Sequence, residues 1–271
     1  MSLRILMCGF AGMQGDTMRT IPESLVPQVA RLVHSLCMIV GDDIAVLVHG
    51  SVALGDYQPG RSDLDVLVFC DGAATKRQHV ALATAMLDIS GLPAPIELSV
   101  IDRALLNEWV HPAPFYFHYS EDWRESTRAA LADDTHIWEH ERTDADLSAH
   151  MVIAHHHGIM VYGDAIVPLP TPQQALAAVW YDIASAETQV DEAPDYVILN
   201  LCRTIRWLEH GEVHSKGSGG TAMVPELTEP ARSVVVCMCA LRRGEEITMP
   251  DADVLRQVAR MLLGRIHAQM T

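Results

Sequence analysis

The chain has 271 residues, 49% apolar and 20% charged, a balance that supports one large or two modest folded domains and excludes wholesale disorder. Acidic residues outnumber basic ones by 35 to 19, and the resulting formal charge of −16 opposes general binding to a nucleic-acid backbone while favouring cationic partners. No apolar run approaches the roughly 18–20 residues of a membrane span, and the short stretch Leu3–Phe10 lacks the length and cleavage site of a secretion signal.

In chain order, residues 1–19 carry little structural signal. Thr20 and Pro22 then open a helix whose Leu25, Val29, Leu32, Val33 and Leu36 fall at helical spacing, and Gly41-Asp42-Asp43 ends it. Residues 44–48 (Ile-Ala-Val-Leu-Val) predict a buried strand. A turn-rich segment from Gly50 to Arg61 leads into a second strand, Asp63 to Phe69. Residues 75–90 predict a helix with Val80, Leu82, Ala83, Met86 and Leu87 on its apolar face, and Ile96 to Ile101 a third strand. The stretch 103–140, rich in Trp, His, Tyr and Pro, has no clear period. Beyond it helical patterns dominate, at 144–162, 171–188, 195–210, 229–243 and 251–269, with Gly211 and Gly244 as stops. The expected fold is therefore α+β. A small mixed-sheet domain over about 20–140 precedes an all-helical bundle over about 144–270, with a linker near 140 and the active site in the cleft between them. Cys8, Cys37, Cys70, Cys202, Cys237 and Cys239 form no CxxC pair and predict buried thiols of a reducing cytoplasm.

The sharpest chemical signal is Asp63-Leu64-Asp65. On a strand, residues i and i+2 share a face, so two carboxylates stand side by side while Leu64, Val66 and Val68 pack behind them. Adjacent carboxylates repel unless positive charge lies between them, and a divalent cation such as Mg²⁺ answers that need. Just upstream, His49-Gly50-Ser51 follows a buried strand, where backbone N–H groups and a hydroxyl can approach a phosphate. Glu97, alternating against Ile96, Leu98 and Val100, supplies a third carboxylate from the next strand. The run His155-His156-His157 predicts a partly exposed helix face, because consecutive helical residues diverge by about 100° and three cannot share one ion. Asp191, Glu192 and Asp195 cluster in a turn between two predicted helices, either as a solvated charge run or as a lip that binds a cation. Trp123 is either a core anchor or a wall for a substrate.

The segment from His49-Gly50-Ser51 to Ser62-Asp63-Leu64-Asp65 resembles the signature of the polymerase β-type nucleotidyltransferase superfamily. Further motifs resemble the aminoglycoside 3″/9 adenylyltransferases, over roughly residues 44–245. They are Ile96-Glu97-Leu98-Ser99, Tyr119–Trp123, Asp144-Ala145-Asp146, Tyr162-Gly163 and the run from Val197 through Arg203 and Gly211 to Lys216. The resemblance implies that Asp63 and Asp65 bind Mg²⁺ and that Glu97 is the general base. Gly50, Ser51 and Ser62 would contact the nucleotide, and Arg203 and Lys216 would reach the ATP phosphates. AMP would pass from ATP to a hydroxyl of an aminoglycoside-like or aminocyclitol-like acceptor, with Trp123, Asp191 and Asp195 near that acceptor. Family members that modify streptomycin as well as spectinomycin carry a Trp and an Asp shortly before the Arg203 helix; acidic residues remain nearby here, but the Trp's ungapped counterpart is Ala184, the nearest tryptophan being Trp180, so spectinomycin is the expected acceptor of the two. The expected partners are a nucleotide and a small acceptor, without nucleic acid or membrane, for a cytoplasmic monomer or homodimer. Rival readings are nucleotidylation of a protein or another metabolite, and a non-catalytic nucleotidyltransferase-like partner or antitoxin module.

Overall fold

The computed structural model describes residues 20–72, 75–133 and 142–270. Residues 1–19, with Cys8, and the expected linker near 140 lie outside these. The described chain divides into two units, one ending at Ala175 and the other starting at Leu176.

A short 3-10 turn leads into helix α1 (Val26–Val40), and strand β1 (Ile44–Val48) follows. A single helical turn, α2 (Gly50–Ala53), stands between β1 and strand β2 (Leu64–Cys70). Helix α3 (Lys76–Ile89) begins at Thr75, whose hydroxyl accepts from Gln78 N at 3.3 Å while Gln78 Oε1 accepts from Thr75 N at 2.8 Å. That reciprocal box satisfies two otherwise orphaned donors and fixes where the helix starts. Strand β3 (Ile96–Asp102) completes the part legible from the sequence. The region without a clear period contains strands β4 (Ala113–Phe115) and β5 (Phe117–Tyr119) and helix α4 (Arg124–Ala132). Strand β6 (Arg142–Asp144), helix α5 (Leu147–His157) and strand β7 (Ile159–Tyr162) follow.

The main sheet has the order β5-β3-β2-β1-β7, with β2 and β3 parallel and the other pairs antiparallel; β4 and β6 form a separate ribbon. Both faces of the main sheet are covered. On one, Ile44, Val46, Val48, Val66, Val68, Leu98 and Val100 pack with Leu32 and Leu36 of α1 and Leu82 and Met86 of α3. On the other, Ala45, Leu47, Leu67, Phe69 and Ile101 pack with Leu147, Met151 and Ala154 of α5. Two-sided cover explains why β1 is apolar throughout instead of alternating.

Two expectations need correction here. The helical pattern over 144–162 is a helix plus a strand: α5 stops before Gly158, and Ile159–Tyr162 pairs with β1. A β-carbon at Gly158 would fall 2.5 Å from Ala154 O and 2.8 Å from Leu47 Cδ1, so the chain turns there in space only glycine fits. The first unit consequently extends past the expected boundary near 140, because α5 and β7 supply part of its core and its sheet edge.

The second unit is helical. After helix α6 (Pro172–Ile183) come α7 (Ala186–Gln189), α8 (Pro194–His210), α9 (Lys216–Met223), α10 (Ala231–Arg242) and α11 (Ala252–Met270). The expected helix 171–188 is broken at Ala184 and Ser185, and α9 was not legible at all, its Lys-Gly-Ser-Gly-Gly start having poor helix propensity. Packing overrides that propensity: a β-carbon at Gly220 would meet Leu199 Cδ2 at 2.5 Å and Cys239 Sγ at 2.7 Å, so the small residues let α9 lie against α8 and α10. Ile198, Leu201, Ile205, Met238, Leu262 and Ile266 form the core, and α8 ends at Gly211 in the left-handed conformation. The five described cysteines are free thiols, with Cys70, Cys202 and Cys239 buried. None of the described helices is long and apolar enough to cross a membrane.

Candidate active site

Asp65 and Glu97 are direct register partners on the parallel strands β2 and β3. Leu64 and Ile96 on either side are buried, while Asp65 and Glu97 are half-buried, so both project from the opposite face of the sheet. Asp63 lies one residue before β2, exposed, on the same side as Asp65 by the two-residue repeat. The three carboxylates predicted from the sequence thus share one end of one sheet face. Their hard oxygen donors suit Mg²⁺, which takes a few carboxylates together with phosphate and water oxygens.

The turn after β1 is fitted to this carboxylate end. His49 N donates to Asp65 O at 3.0 Å, tying the turn to β2. Gly50 has φ +58°, and a β-carbon there would lie 1.7 Å from Asp65 Oδ2. Glycine therefore meets two demands at once, a left-handed backbone and contact between backbone and carboxylate. Among the described residues, buried Ser51 Oγ has no hydrogen-bond partner, nor does His49 Nδ1. A buried hydroxyl left unsatisfied costs about 1–3 kcal/mol, so Ser51 has bonding capacity to offer a further group. Ser62, in contrast, is 6% exposed, and its Oγ accepts from Gln58 N at 3.0 Å. It closes the Gln58–Ser62 turn and so sets the start of the aspartate strand.

Three histidines surround the carboxylates, and sequence reasoning assigned none of them to the site. His118 on β5 stands opposite Ser99, and Ser99 Oγ meets His118 Nδ1 at 2.9 Å. His150 on α5 has its ring 5.1 Å from that of His49. Burial disfavours the His150 imidazolium, yet the carboxylates of Glu97, Asp146, Asp65 and Asp144 together outweigh it and raise its pKa above the ordinary histidine range. His118 lies below that range, with burial prevailing over Glu97 and Asp144. Burial, then the neighbouring His150, drives His49 well below it. The available signal was the spacing of Asp146 and His150, four residues apart at the start of a helix, which puts both on one face.

Trp123 is half-buried, its ring edge-on to His118 at 4.8 Å, with the Arg142 guanidinium 5.9 Å from the ring centroid. The indole is therefore part of the same polar cluster and not an anchor of the apolar core. The histidine run behaves as expected: His155 and His156 are exposed, and His155 Nδ1 bonds Val167 O at 2.7 Å.

Within the helical unit, Arg203 and Lys216 are brought close by the packing of α8 on α9, where a β-carbon at Gly219 would lie 2.7 Å from Arg203 Cβ. Arg203 Nε donates to Asn200 Oδ1 at 2.6 Å, and Lys216 Nζ stands 4.3 Å from the Tyr196 ring centroid. Asp195 is half-buried in the first turn of α8. Asp191 is exposed, and its carboxylate pairs with the Arg256 guanidinium at 2.6 Å. Trp180 packs on His267 with ring centroids 4.6 Å apart, as part of the bundle's own packing. Glu209, His210 and Glu226 converge as a metal site would, but Arg265 and Arg206 already hold the two carboxylates.

Residues 29–105 match the nucleotidyltransferase domain family, and residues 167–264 match the family described as aminoglycoside adenylyltransferase, C-terminal domain. Among solved structures, the fold is similar to that of spectinomycin adenyltransferase AAD(9) from Enterococcus faecialis, determined with ATP and spectinomycin. The TM-score is 0.75 at 20% identity, over 89% of this chain and 98% of that one. No curated protein sequence matches the chain.

Proposed function

The chain is an aminoglycoside adenylyltransferase-like nucleotidyltransferase, and from that premise we propose that it transfers AMP from Mg-ATP to a hydroxyl of an aminocyclitol or aminoglycoside acceptor, releasing pyrophosphate. The observation that carries the reading is the pairing of Asp65 with Glu97 beside a glycine-serine turn whose Ser51 hydroxyl has no partner among the described residues. ATP and an aminocyclitol are also what the similar adenyltransferase was determined with.

In this reading Asp63 and Asp65 would hold Mg²⁺, which would supply positive charge against the triphosphate. Ser51 Oγ and the backbone of Gly50 and Ser51 donate to phosphate oxygens. Glu97 takes the proton from the acceptor hydroxyl, which places its oxygen in line with the α-phosphorus. His150, biased toward its charged form by the carboxylates around it, adds positive charge near Glu97. Arg203 and Lys216 add positive charge to the triphosphate, where transfer chemistry gains most from fixed charges. Trp123 provides a flat apolar wall for the acceptor, and Asp195 together with the chain's net charge of −16 attracts its ammonium groups.

Spectinomycin is favoured over streptomycin. Position 184 is alanine, and Trp180 is engaged with His267, so a guanidinium-bearing sugar lacks a stacking surface there. The test is pyrophosphate release with ATP, Mg²⁺ and a panel of aminoglycosides and aminocyclitols. Release that depends on an added aminocyclitol supports the reading. Release only with a protein or an unrelated hydroxylated metabolite moves the acceptor to another class.

A further inference from the structure

We infer that Asp182 is a positioning residue that sets both Arg203 and Lys216 through two separate hydrogen-bonded neighbours. Its two carboxylate oxygens divide the work. Oδ1 accepts from Tyr196 OH at 2.9 Å, and the Tyr196 ring lies 4.3 Å from Lys216 Nζ. Oδ2 accepts from Asn200 Nδ2 at 2.5 Å, and Asn200 Oδ1 accepts from Arg203 Nε at 2.6 Å.

The chemistry of Asn200 makes this a directed arrangement. A primary amide has one end that donates and one that accepts, and either can face a given neighbour. Arg203 offers only donors, so Asn200 serves it only with its oxygen turned that way. A carboxylate at 182 accepts and cannot donate, which fixes the amide nitrogen toward Asp182 and the oxygen toward Arg203. Asn200 is 3% exposed, so water does not substitute for either partner. On the other branch, the phenol bond holds the Tyr196 ring plane, and the ring face attracts the Lys216 ammonium. The close approach of α9 at Gly219 fixes the backbones of the two cations relative to each other, which leaves side-chain aim as the remaining freedom.

The inference rests on the proposed role of Arg203 and Lys216 toward the triphosphate, and the test separates the two. Asp182→Asn keeps the shape but brings a donor, so Asn200 can turn its nitrogen toward Arg203. In the full-length protein, ATP affinity by calorimetry should fall about tenfold in this variant, the scale of one charge-assisted hydrogen bond, with the melting temperature preserved. In an Arg203→Ala/Lys216→Ala background the same substitution should cost nothing further. The Arg203 Nε–H resonance, assigned by its loss in Arg203→Ala, should move toward the position of solvent-exposed arginines in Asp182→Asn without any nucleotide. Equal loss of affinity in both backgrounds, or an unmoved resonance, overturns the inference. A moved resonance together with unchanged ATP affinity in Arg203→Ala/Lys216→Ala upholds the link from Asp182 to Arg203 and overturns the role of the cations in nucleotide binding.

Discussion

A β-carbon built on Gly50 falls 1.7 Å from Asp65 Oδ2, so the carboxylate at the centre of the site occupies the space a side chain at position 50 would need. Gly50→Ala should therefore push the Asp65 carboxylate away as well as strain a backbone at φ +58°, the latter alone costing about 1–2 kcal/mol. A displacement of about 1 Å at a reacting centre costs on the order of 100-fold in rate. Turnover should fall at least that far while far-UV circular dichroism stays unchanged, since β1 and β2 keep their pairing. Wild-type turnover in Gly50→Ala would mean that the turn and the carboxylate are not part of one site.

Asp63→Asn and Asp65→Asn should each abolish nucleotide transfer and leave the melting temperature at or above that of the wild type. Removing one of two neighbouring carboxylates relieves repulsion. Parallel thermal melts and turnover assays check both halves. A variant that loses activity together with its fold would assign the aspartates to structure.

What the sequence made legible divides along physical lines. Strands β1, β2 and β3 and the ends of α3, α8, α10 and α11 could be read to within a few residues, because apolar period and capping residues are local properties. The pairing of Asp65 with Glu97 was foreseen as proximity on neighbouring strands, although the register itself is set by distant packing. Strand β7 was hidden because Ile159–Tyr162 continues an apolar pattern that also suits a helix, and only Gly158 marks the break. The histidines were missed for a related reason. His118 and His150 reach the carboxylates through strand pairing and the placement of α5, and neither leaves a trace in spacing along the chain near Asp63 or Glu97.

The pH dependence of stability should show His49. Burial, then His150, lowers its folded pKa well below the ordinary 6.5, so the folded state refuses a proton that the unfolded chain accepts. The stability this contributes is present above about pH 6.5 and is lost as pH falls through the depressed folded value. His49→Asn should flatten the decline in melting temperature between about pH 6.5 and pH 5. An unchanged acid slope in that variant would assign the decline to other groups, of which His118, also lowered chiefly by burial, is the next to test.

Asp191 is expected to be dispensable for acceptor turnover. Its pairing with Arg256 is exposed, and such pairs contribute about 0–1 kcal/mol. Asp191→Ala should leave the kinetic constants for the acceptor unchanged and shift the melting temperature only slightly. A raised acceptor KM would restore Asp191 to the acceptor's surroundings.

The most direct test is to incubate wild type and Glu97→Gln with ATP, Mg²⁺ and spectinomycin, and to follow adenylated product by mass alongside ATP binding by calorimetry. The proposed function predicts adenylated spectinomycin from the wild type. It also predicts a loss of about 10²–10⁴-fold in rate for Glu97→Gln, the range for general acid–base catalysis, with ATP binding retained. Product formed by Glu97→Gln at the wild-type rate would contradict the assignment of the base, and no nucleotide adduct from the wild type on spectinomycin or any other acceptor would contradict the function.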